Sequence, residues 1–297
     1  MIEKLEMFLA LAREQHFGRA AVACGITQPS LSAGIKQLED QLGVKLVYRG
    51  SRFQGLTPEG QRALDWARRI VGDARSLKDE MRSAQKGFSG NLRLAVIPTA
   101  LPLVADLTSQ FAKAHPNVHL TVLSRTSGEI LSMLENLETD AGVTYLDNEP
   151  LGQVTSVPIY TERYALVTHR DHPLASRDTL KWGELAGLPL CLLTPDMQNR
   201  RIVSEHLTAA GIETDPMLQA SSLIVLISHV LRGDWVSILP QTGIEIFLQS
   251  GDLKAIPLVN PSAAQRVGLV APFREPHTPV LRALLTKAGE LAAKQDN

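Results

Sequence analysis

The sequence predicts an α/β protein with a small helical unit at its start, a long connecting helix and a body of two α/β lobes. Apolar residues recur at helical spacing before residue 43, small apolar residues alternate in threes and fours between 58 and 86, and strand-like runs alternate with helical segments from residue 91 onward. The last pattern is typical of parallel sheets with helices on both faces. We expect domains at 1–57, 58–90 and 91–297, with lobe I at 91–160 and 266–297 and lobe II at 161–265.

The composition is that of an ordinary globular protein, but the charge is unevenly distributed. Of the 297 residues, 44% are hydrophobic and 21% are charged, and the net charge is −1. Residues 1–90 contain 14 Lys and Arg against 10 Asp and Glu, whereas residues 91–297 contain 16 against 21. A basic front on an acidic body indicates a nucleic-acid-binding module joined to a carrier.

Two further features predict a cytoplasmic protein that makes no contact with membranes. The first residues mix acidic side chains into apolar positions, unlike a signal peptide, and no segment has the apolar length that spans a bilayer. Cys24 and Cys191 are far apart and fall in different predicted domains, so we expect two reduced thiols rather than a disulfide.

The first 43 residues are predicted to form three helices, of which the third has a polar tip. Thr27 is a suitable N-cap for it, Pro29 fits its first turn, and Gly43 ends it. The buried stripe of this helix consists of Leu31, Ile35, Leu38 and Leu42. The second and third helices, joined by residues 24–27, form a helix-turn-helix, in which the tip of the later helix enters the major groove of DNA.

The polar tip provides the predicted DNA contacts. Gln28 can pair with adenine through two hydrogen bonds, Ser32 can donate or accept, and Pro29 can meet a thymine methyl group. The predicted base contacts are Gln28, Pro29, Ser32 and Ala33, and the predicted phosphate contacts are Arg19, Ser30, Lys36, Arg49 and Arg52. The alternative is a solvated helix start with ordinary capping chemistry; the segments that follow favour DNA.

The segments that follow the three helices are a predicted hairpin and a long helix. Residues 44–57 alternate in polarity around a tip with two arginines, and a helix from about 58 to 86 follows. Small and apolar residues form a heptad seam along this helix, suited to a close helix pair: Gly60, Ala63, Ala67, Ile70, Ala74, Leu77, Met81 and Ala84. The alternative is a helix that lies on its own domain, and the length of the seam favours a dimer.

The body is predicted to bind a small molecule where its strands end. In open α/β sheets, ligands bind at the carboxyl ends of strands, and helix N-termini there attract anions. Residues at such positions are Thr99, Ala100, Thr126, Ser127, Tyr145, Thr194 and Gln198. Each hydroxyl could instead be a plain helix cap; because they converge at strand ends, we expect a cleft for a carboxylate or other small oxyanion.

Enzymatic and metal-binding functions find little support. No strand is followed by a Gly-rich phosphate-binding motif, and the nucleophile-elbow pattern GxSxG is absent. Of the eight scattered histidines, His115 and His119 have the spacing of metal ligands on a helix, but the intervening Pro116 and Asn117 exclude a helix there. We therefore expect neither catalysis nor a cofactor or metal.

The N-terminal motifs resemble those of LysR-type transcriptional regulators. The matching segments are Phe8–Ala12 (FLALA), Ala20-Ala21, Thr27–Ser32 (TQPSLS), Ile35–Arg49 (IKQLEDQLGVKLVYR) and Leu56–Gly60 (LTPEG). The resemblance implies a winged helix-turn-helix, a long linker helix and a C-terminal two-lobed domain similar to periplasmic binding proteins. The tip RGSRFQG departs from the usual wing, so its phosphate contacts stay open.

The resemblance also implies partners. These are double-stranded promoter DNA, a small effector between the lobes and further copies of the chain as a dimer of dimers, with RNA polymerase as another candidate. The effector, operator, target genes, sign of regulation and choice between dimer and tetramer stay open. An architectural DNA-binding protein that needs no effector is the alternative function.

Overall fold

The computed structural model describes residues 1–49, 53–86, 88–147, 150–213, 215–273 and 275–295. The chain forms two compact units, a front unit chiefly before Phe88 and a body chiefly from Phe88 onward. In the described ranges, no helix has both the length and the apolar character needed to cross a membrane.

The front unit contains the predicted helices and hairpin. Its described elements are α1 (Ile2–Glu14), α2 (Phe17–Ala23), α3 (Gln28–Leu42), β1 (Val47–Arg49), β2 (Phe53–Leu56) and α4 (Pro58–Lys86). Strands β1 and β2 pair antiparallel, which confirms the predicted hairpin. One core of buried side chains from α1, α2, α3 and the first half of α4 holds the unit together.

Local capping explains where α2 and α3 begin and end. The His16 Nδ1 accepts the backbone N–H of Gly18 at 3.0 Å at the start of α2. The Thr27 Oγ1 accepts the N–H of Ser30 at 3.3 Å, which confirms the predicted N-cap of α3. Gly43 ends α3 in the left-handed region, with a φ of 70° that favours glycine.

A buried carboxylate, not foreseen from the sequence, ties α3 to the hairpin. Glu39 is 2% exposed, and its Oε1 accepts the backbone N–H of Leu46 at 3.0 Å. The Lys45 Nζ donates to its Oε2 at 3.2 Å. Both bonds hold the residues that lead into β1 against the C-terminal half of α3, so the hairpin starts from a defined position.

Helix α4 packs on the front unit along one stripe and leaves another stripe exposed. Leu64, Ala67 and Val71 are buried in the front-unit core. The large apolar residues that remain exposed are Trp66, Ile70, Leu77 and Met81. The first half of α4 therefore lies on its own domain, which was the alternative to a dimer helix. Most of the predicted heptad seam after Ala67 stays on the surface. The side chain of Ala84 lies outside the described part.

The body begins with alternating strands and helices, as the sequence predicts from residue 91 onward. Its first described elements are β3 (Gly90–Val96), α5 (Leu101–Ala114), β4 (Val118–Ser124), α6 (Ser127–Glu135), β5 (Ala141–Tyr145) and β6 (Val154–His169). Those that follow are β7 (Leu180–Lys181), β8 (Cys191–Leu193), α7 (Gln198–Ala209), β9 (Leu218–Ala220), α8 (Leu223–Val230), β10 (Ser237–Pro240), α9 (Gln241–Leu248), β11 (Leu253–Val259), β12 (Ala264–Pro272) and α10 (Pro279–Gln295).

The main sheet is mixed, so the expectation of parallel sheets is only partly correct. Its strand order is β4-β3-β5-β12-β6-β11-β7, and β10 also pairs with β6. Strand β3 runs parallel to β4 and β5, but β12 runs antiparallel to both of its neighbours. The cause is the chain path, because β6 leaves the first three strands and β12 returns beside it in the opposite direction.

Strand β6 connects the two halves of the body. It is 16 residues long and pairs with β12 along residues 154–163, then with β10 and β11 along residues 164–169. The predicted crossing at residue 161 thus falls within one continuous strand. Strands β8 and β9 form a separate small parallel sheet on the far half.

Candidate DNA-binding and effector sites

The predicted base contacts lie together at the start of α3. Gln28, Pro29 and Ala33 are exposed and Ser32 is partly exposed. Of the predicted apolar stripe, Leu31, Ile35 and Leu38 are buried in the front-unit core. The prediction for Leu42 is wrong, because this last residue of the helix is 44% exposed. Because the Thr27 side chain already satisfies the cap, the Gln28 amide is not needed to start the helix. The arrangement can present a polar, small-residue edge to a groove of DNA.

The predicted phosphate contacts differ in how available they are. Lys36 is exposed on α3. The Arg19 guanidinium donates to the Glu14 carbonyl oxygen at 2.6 Å, and the Ser30 hydroxyl lies 2.8 Å from the Thr27 Oγ1, so both make contacts inside the unit. The backbone of Arg49 belongs to β1, but its side chain lies outside the described part, as does Arg52 altogether.

A pocket in the body brings together most of the predicted effector residues. It is a small cleft with about 210 Å³ of empty space, a volume that includes open solvent. Its lining is Ile97, Pro98, Thr99, Thr126, Ser127, Tyr145, Leu193, Met197, Gln198 and Asn199. Of the predicted residues, Ala100 and Thr194 are not in this lining; Ala100 is fully buried in a short turn before α5, and Thr194 follows β8.

The helices α6 and α7 both start at this pocket, and their first turns differ. At α6, the Thr126 Oγ1 accepts the N–H of Glu129 at 3.2 Å and donates to the Glu129 carboxylate at 3.0 Å, so Thr126 acts as a cap. At α7, the N-cap is Met197, which makes no side-chain capping bond. Backbone N–H groups in a helical first turn have no acceptor within the helix. The start of α7 therefore offers donors to a bound acceptor.

Buried polar atoms at the pocket also lack partners. Ser127 is 2% exposed and Asn199 is 4% exposed, and neither the Ser127 Oγ nor the Asn199 Nδ2 has a hydrogen-bond partner in the described chain. Burial raises the pKa of the neighbouring Tyr164 well above its ordinary value, and the nearby Asn199 amide opposes this shift. A buried polar group without a partner costs roughly 1–3 kcal/mol, so both atoms suit a ligand. Asn199 was not predicted, although it follows Gln198 in the same first turn.

A buried carboxylate lies behind the pocket wall. The Glu162 Oε2 accepts the Tyr145 hydroxyl at 2.8 Å, and its Oε1 accepts the Tyr160 hydroxyl at 2.9 Å. Burial is the largest influence on Glu162 and raises its pKa to about 7, although the hydrogen bonds that it accepts oppose this shift. The sequence signal for Glu162 was its alternation in β6 with Tyr160 and Tyr164, which places all three side chains on the inward face of the strand.

The charged residues near the pocket have partners elsewhere. Asp147, which follows β5, accepts a hydrogen bond from the Arg266 guanidinium at 2.6 Å, and this contact lowers the Asp147 pKa. Arg201 in the first turn of α7 donates to the Asp196 carbonyl oxygen at 2.9 Å and bonds to the Gln198 side chain. The Gln198 amide oxygen is thus already used within α7.

Two family models match the chain. One describes a bacterial regulatory helix-turn-helix protein of the lysR family and covers residues 2–61, and the other describes a LysR substrate binding domain and covers residues 85–293. The chain belongs to the LysR family. It is a DNA-binding transcription regulator with an effector-binding domain, and both matched families describe regulators rather than enzymes.

Curated and solved relatives of this LysR family member include peroxide regulators. The DNA-binding transcriptional dual regulator OxyR of Escherichia coli K12 is 29% identical over 270 residues, which span 91% of this chain and 88% of the relative. Full-length OxyR from Pseudomonas aeruginosa with a cysteine-to-aspartate substitution has a TM-score of 0.73 at 26% identity, covering 99% of this chain and 95% of that one. An H2O2-bound cysteine-to-serine variant of Corynebacterium glutamicum OxyR has a TM-score of 0.58 at 26% identity, covering 100% and 96%.

Proposed function

We propose that this LysR family member binds promoter DNA in a sequence-specific way through the first turn of α3, and that a small anion bound in the pocket of its body switches this binding. The observation that carries the effector half is the buried start of α7, which has no side-chain cap and shares its pocket with the unpartnered Ser127 hydroxyl. Helix N-termini of this kind favour anions.

The DNA half of the proposal rests on α3. Gln28 and Ala33 are exposed on its first turns, and Lys36 follows on the surface. The exposed apolar stripe of α4 supports pairing of two copies, as in the dimer of dimers that the family resemblance implies. RNA polymerase is a further candidate partner at the promoter. Because the proposed partner is chromosomal DNA, we place the protein in the cytoplasm.

The names of the relatives suggest peroxide as a second candidate signal, but the cysteines of this chain argue against a thiol sensor. A peroxide-sensing cysteine reacts as the thiolate, in an exposed and electropositive setting. Cys191 is fully buried in β8, and burial raises its pKa to about 11. Burial also raises the pKa of Cys24. We therefore favour a signal that binds without covalent chemistry.

The DNA half is tested with two matched variants of α3. Gln28→Ala should lose about 1–3 kcal/mol of preference for the operator over a scrambled site, because a two-bond contact to a base is removed. Gln41→Ala makes the same change at the other, exposed end of the helix and should keep the preference. Gel shifts with the upstream DNA measure both; equal preference in Gln28→Ala and the parent would contradict the proposed groove contact.

The effector half is tested with two serine variants. Ser127→Ala removes an unpartnered hydroxyl and should abolish the thermal stabilisation by a bound carboxylate while the unliganded protein keeps its melting temperature. Ser237→Ala removes a buried hydroxyl that donates to the Cys191 carbonyl oxygen at 2.7 Å, so it should destabilise the protein but keep the response. A thermal-shift screen of small carboxylates, followed by gel shifts with the stabilising compounds, measures both. An effector-independent architectural protein would bind DNA equally with and without them.

A further inference from the structure

A line of hydroxyl groups connects a buried carboxylate to the wall of the pocket. Glu162 is 0% exposed, and its Oε2 is 2.8 Å from the Tyr145 hydroxyl. The Tyr145 hydroxyl is 3.4 Å from the Thr99 Oγ1, and both Tyr145 and Thr99 line the pocket. The path from Glu162 to the pocket therefore consists of two groups that can each donate or accept.

We propose that anion binding in the pocket requires Glu162 to take up one proton, which reverses this line of hydroxyl groups. The inference rests on the anion site proposed above. When Glu162 is charged, Tyr145 donates to it and Thr99 donates to Tyr145, so Thr99 can present only lone pairs to the pocket. When Glu162 is protonated, it donates to Tyr145, Tyr145 donates to Thr99, and Thr99 donates to the anion.

The proton balance of this reversal is simple. A proton from a solvent acid (hydronium or the acid form of the buffer, which keeps the electron pair) binds to the Thr99 Oγ1, the original Thr99 proton moves to the Tyr145 hydroxyl oxygen, and the original Tyr145 proton moves to the Glu162 Oε2. Each hydroxyl gains one proton and passes one on. The protein gains one proton in total, and the buried negative charge of Glu162 disappears.

The surroundings of Glu162 favour a proton that binds near neutral pH. Burial raises the Glu162 pKa to about 7 and raises the pKa of Tyr145 and of Tyr160 well above the ordinary value, so both phenols stay protonated and able to donate. In the described chain, no charged side chain is among the influences on the Glu162 pKa. The groups that face this cluster are Thr99 before α5, Tyr145 of β5, Tyr160 and Tyr164 of β6, Asn199 of α7, Thr242 of α9 and Gln265 of β12.

The first measurement detects the proton in the unliganded full-length protein. Infrared spectra between pH 5 and 9 should contain the carbonyl band of a protonated buried carboxyl group, which disappears near pH 7. Glu162→Gln should lack this band. If the parent and Glu162→Gln have the same carboxyl bands at every pH, the proposal is wrong.

The second measurement determines the affinity for acetate, lactate and sulfate at pH 6 and pH 8, between which the charge of these probes does not change. If only protein with a protonated Glu162 binds, a pKa near 7 makes binding about ten-fold weaker at pH 8. Lactamide, the neutral analogue of lactate, should show no such change. Glu162→Gln should bind the anions equally at both pH values, because its amide always donates to Tyr145.

Two tyrosine variants distinguish the hydrogen bond that Glu162 accepts on the pocket side, from Tyr145, from the one that it accepts from Tyr160. Tyr145→Phe removes the hydroxyl between Glu162 and Thr99 and leaves only the direct influence of Thr99 on Glu162, so it should weaken the pH dependence of binding. Tyr160→Phe removes a donor to the same carboxylate without touching the pocket lining, so it should keep the pH dependence with a higher midpoint.

If anions bind the parent and Glu162→Gln alike at both pH values, the proton coupling is wrong but the anion site stands. If none of the three anions binds at either pH, the anion site fails and the coupling fails with it.

Discussion

The first turns of α3 and α7 are both polar, yet they are completed in different ways. At α3, the Thr27 hydroxyl caps the helix and the turn is exposed. At α7, Met197 provides no capping bond, and Gln198 and Asn199 are buried. A capped and exposed turn leaves its side chains to contact a large partner such as DNA. An uncapped and buried turn instead leaves its backbone N–H groups for a small ligand that enters the protein.

The largest expected difference between the two regions is the pH response of the body. Glu162 has an ordinary pKa of 4.5 and a folded pKa of about 7, so the folded state binds the extra proton between these values. The free energy of unfolding should therefore fall as the pH rises from 4.5 to 7, by on the order of 3 kcal/mol. Denaturant titrations of the parent and Glu162→Gln measure it. A parent and variant with parallel pH profiles would contradict it.

A second prediction separates the front unit from the body. A Cβ on Gly60 would lie 2.0 Å from the Leu46 carbonyl oxygen, a backbone atom that cannot move aside cheaply. Gly60→Ala should destabilise the front unit by roughly 1–3 kcal/mol and weaken DNA binding, with the anion response of the body unchanged.

The control for Gly60→Ala is the same change in another helix. A Cβ on Gly289 of α10 would meet no described atom within 4 Å beyond the backbone of its own helix, so Gly289→Ala should be neutral or stabilising. Calorimetry and gel shifts on both variants check the pair. If Gly60→Ala kept full stability, the close contact between α4 and the hairpin would be refuted.

A third prediction concerns the cap that distinguishes α3 from α7. Thr27→Ala removes the acceptor of the Ser30 N–H and should cost about 1 kcal/mol of stability. Thr286→Ala removes a hydroxyl that bonds to the Arg282 carbonyl oxygen inside α10, where alanine is the better helix former, so the loss should be smaller. Urea denaturation compares the two, and an equal cost would argue against the importance of the cap.

The smallest expected effect is on the salt dependence of DNA binding. Lys36→Ala removes one phosphate contact, so the slope of log affinity against log salt should fall in magnitude by about 0.9. Lys254→Ala removes an exposed lysine of β11 in the body and should leave the slope unchanged. Titrations at several salt concentrations measure both slopes, and identical slopes would remove Lys36 from the DNA contacts.

Elements with strong local signals could be predicted from the sequence. Thr27 and Gly43 bound α3, the alternating residues around the hairpin predict β1 and β2, and the motifs of the first 60 residues indicate the family. The strand ends after β3, β4 and β5 also lead to Thr99, Ser127 and Tyr145, which the structure brings to one pocket. Caps, turns and amphipathic stripes depend on neighbours within a few positions, so the sequence alone reveals them.

Other features escaped prediction because distant segments create them. The mixed sheet depends on β12 returning beside β6, with Ala264 opposite Arg163. Glu39 ties α3 to the hairpin because its carboxylate accepts the backbone N–H of Leu46, which leads into β1. The sequence also placed Thr194 in the effector site, whereas the lining of the pocket contains Asn199 and not Thr194.

By itself, the sequence determined the helix-turn-helix, its exposed polar tip, the order of most elements and the family, because local hydrogen bonds and hydrophobic periodicity encode them. Only the tertiary structure decided that the start of α7 is buried without a cap and that Glu162 lies among Tyr145, Tyr160 and Thr99. Burial and the partners of a polar group depend on segments far apart in the chain. The pKa of Glu162 and the donors of the pocket therefore exist only once those segments have packed together.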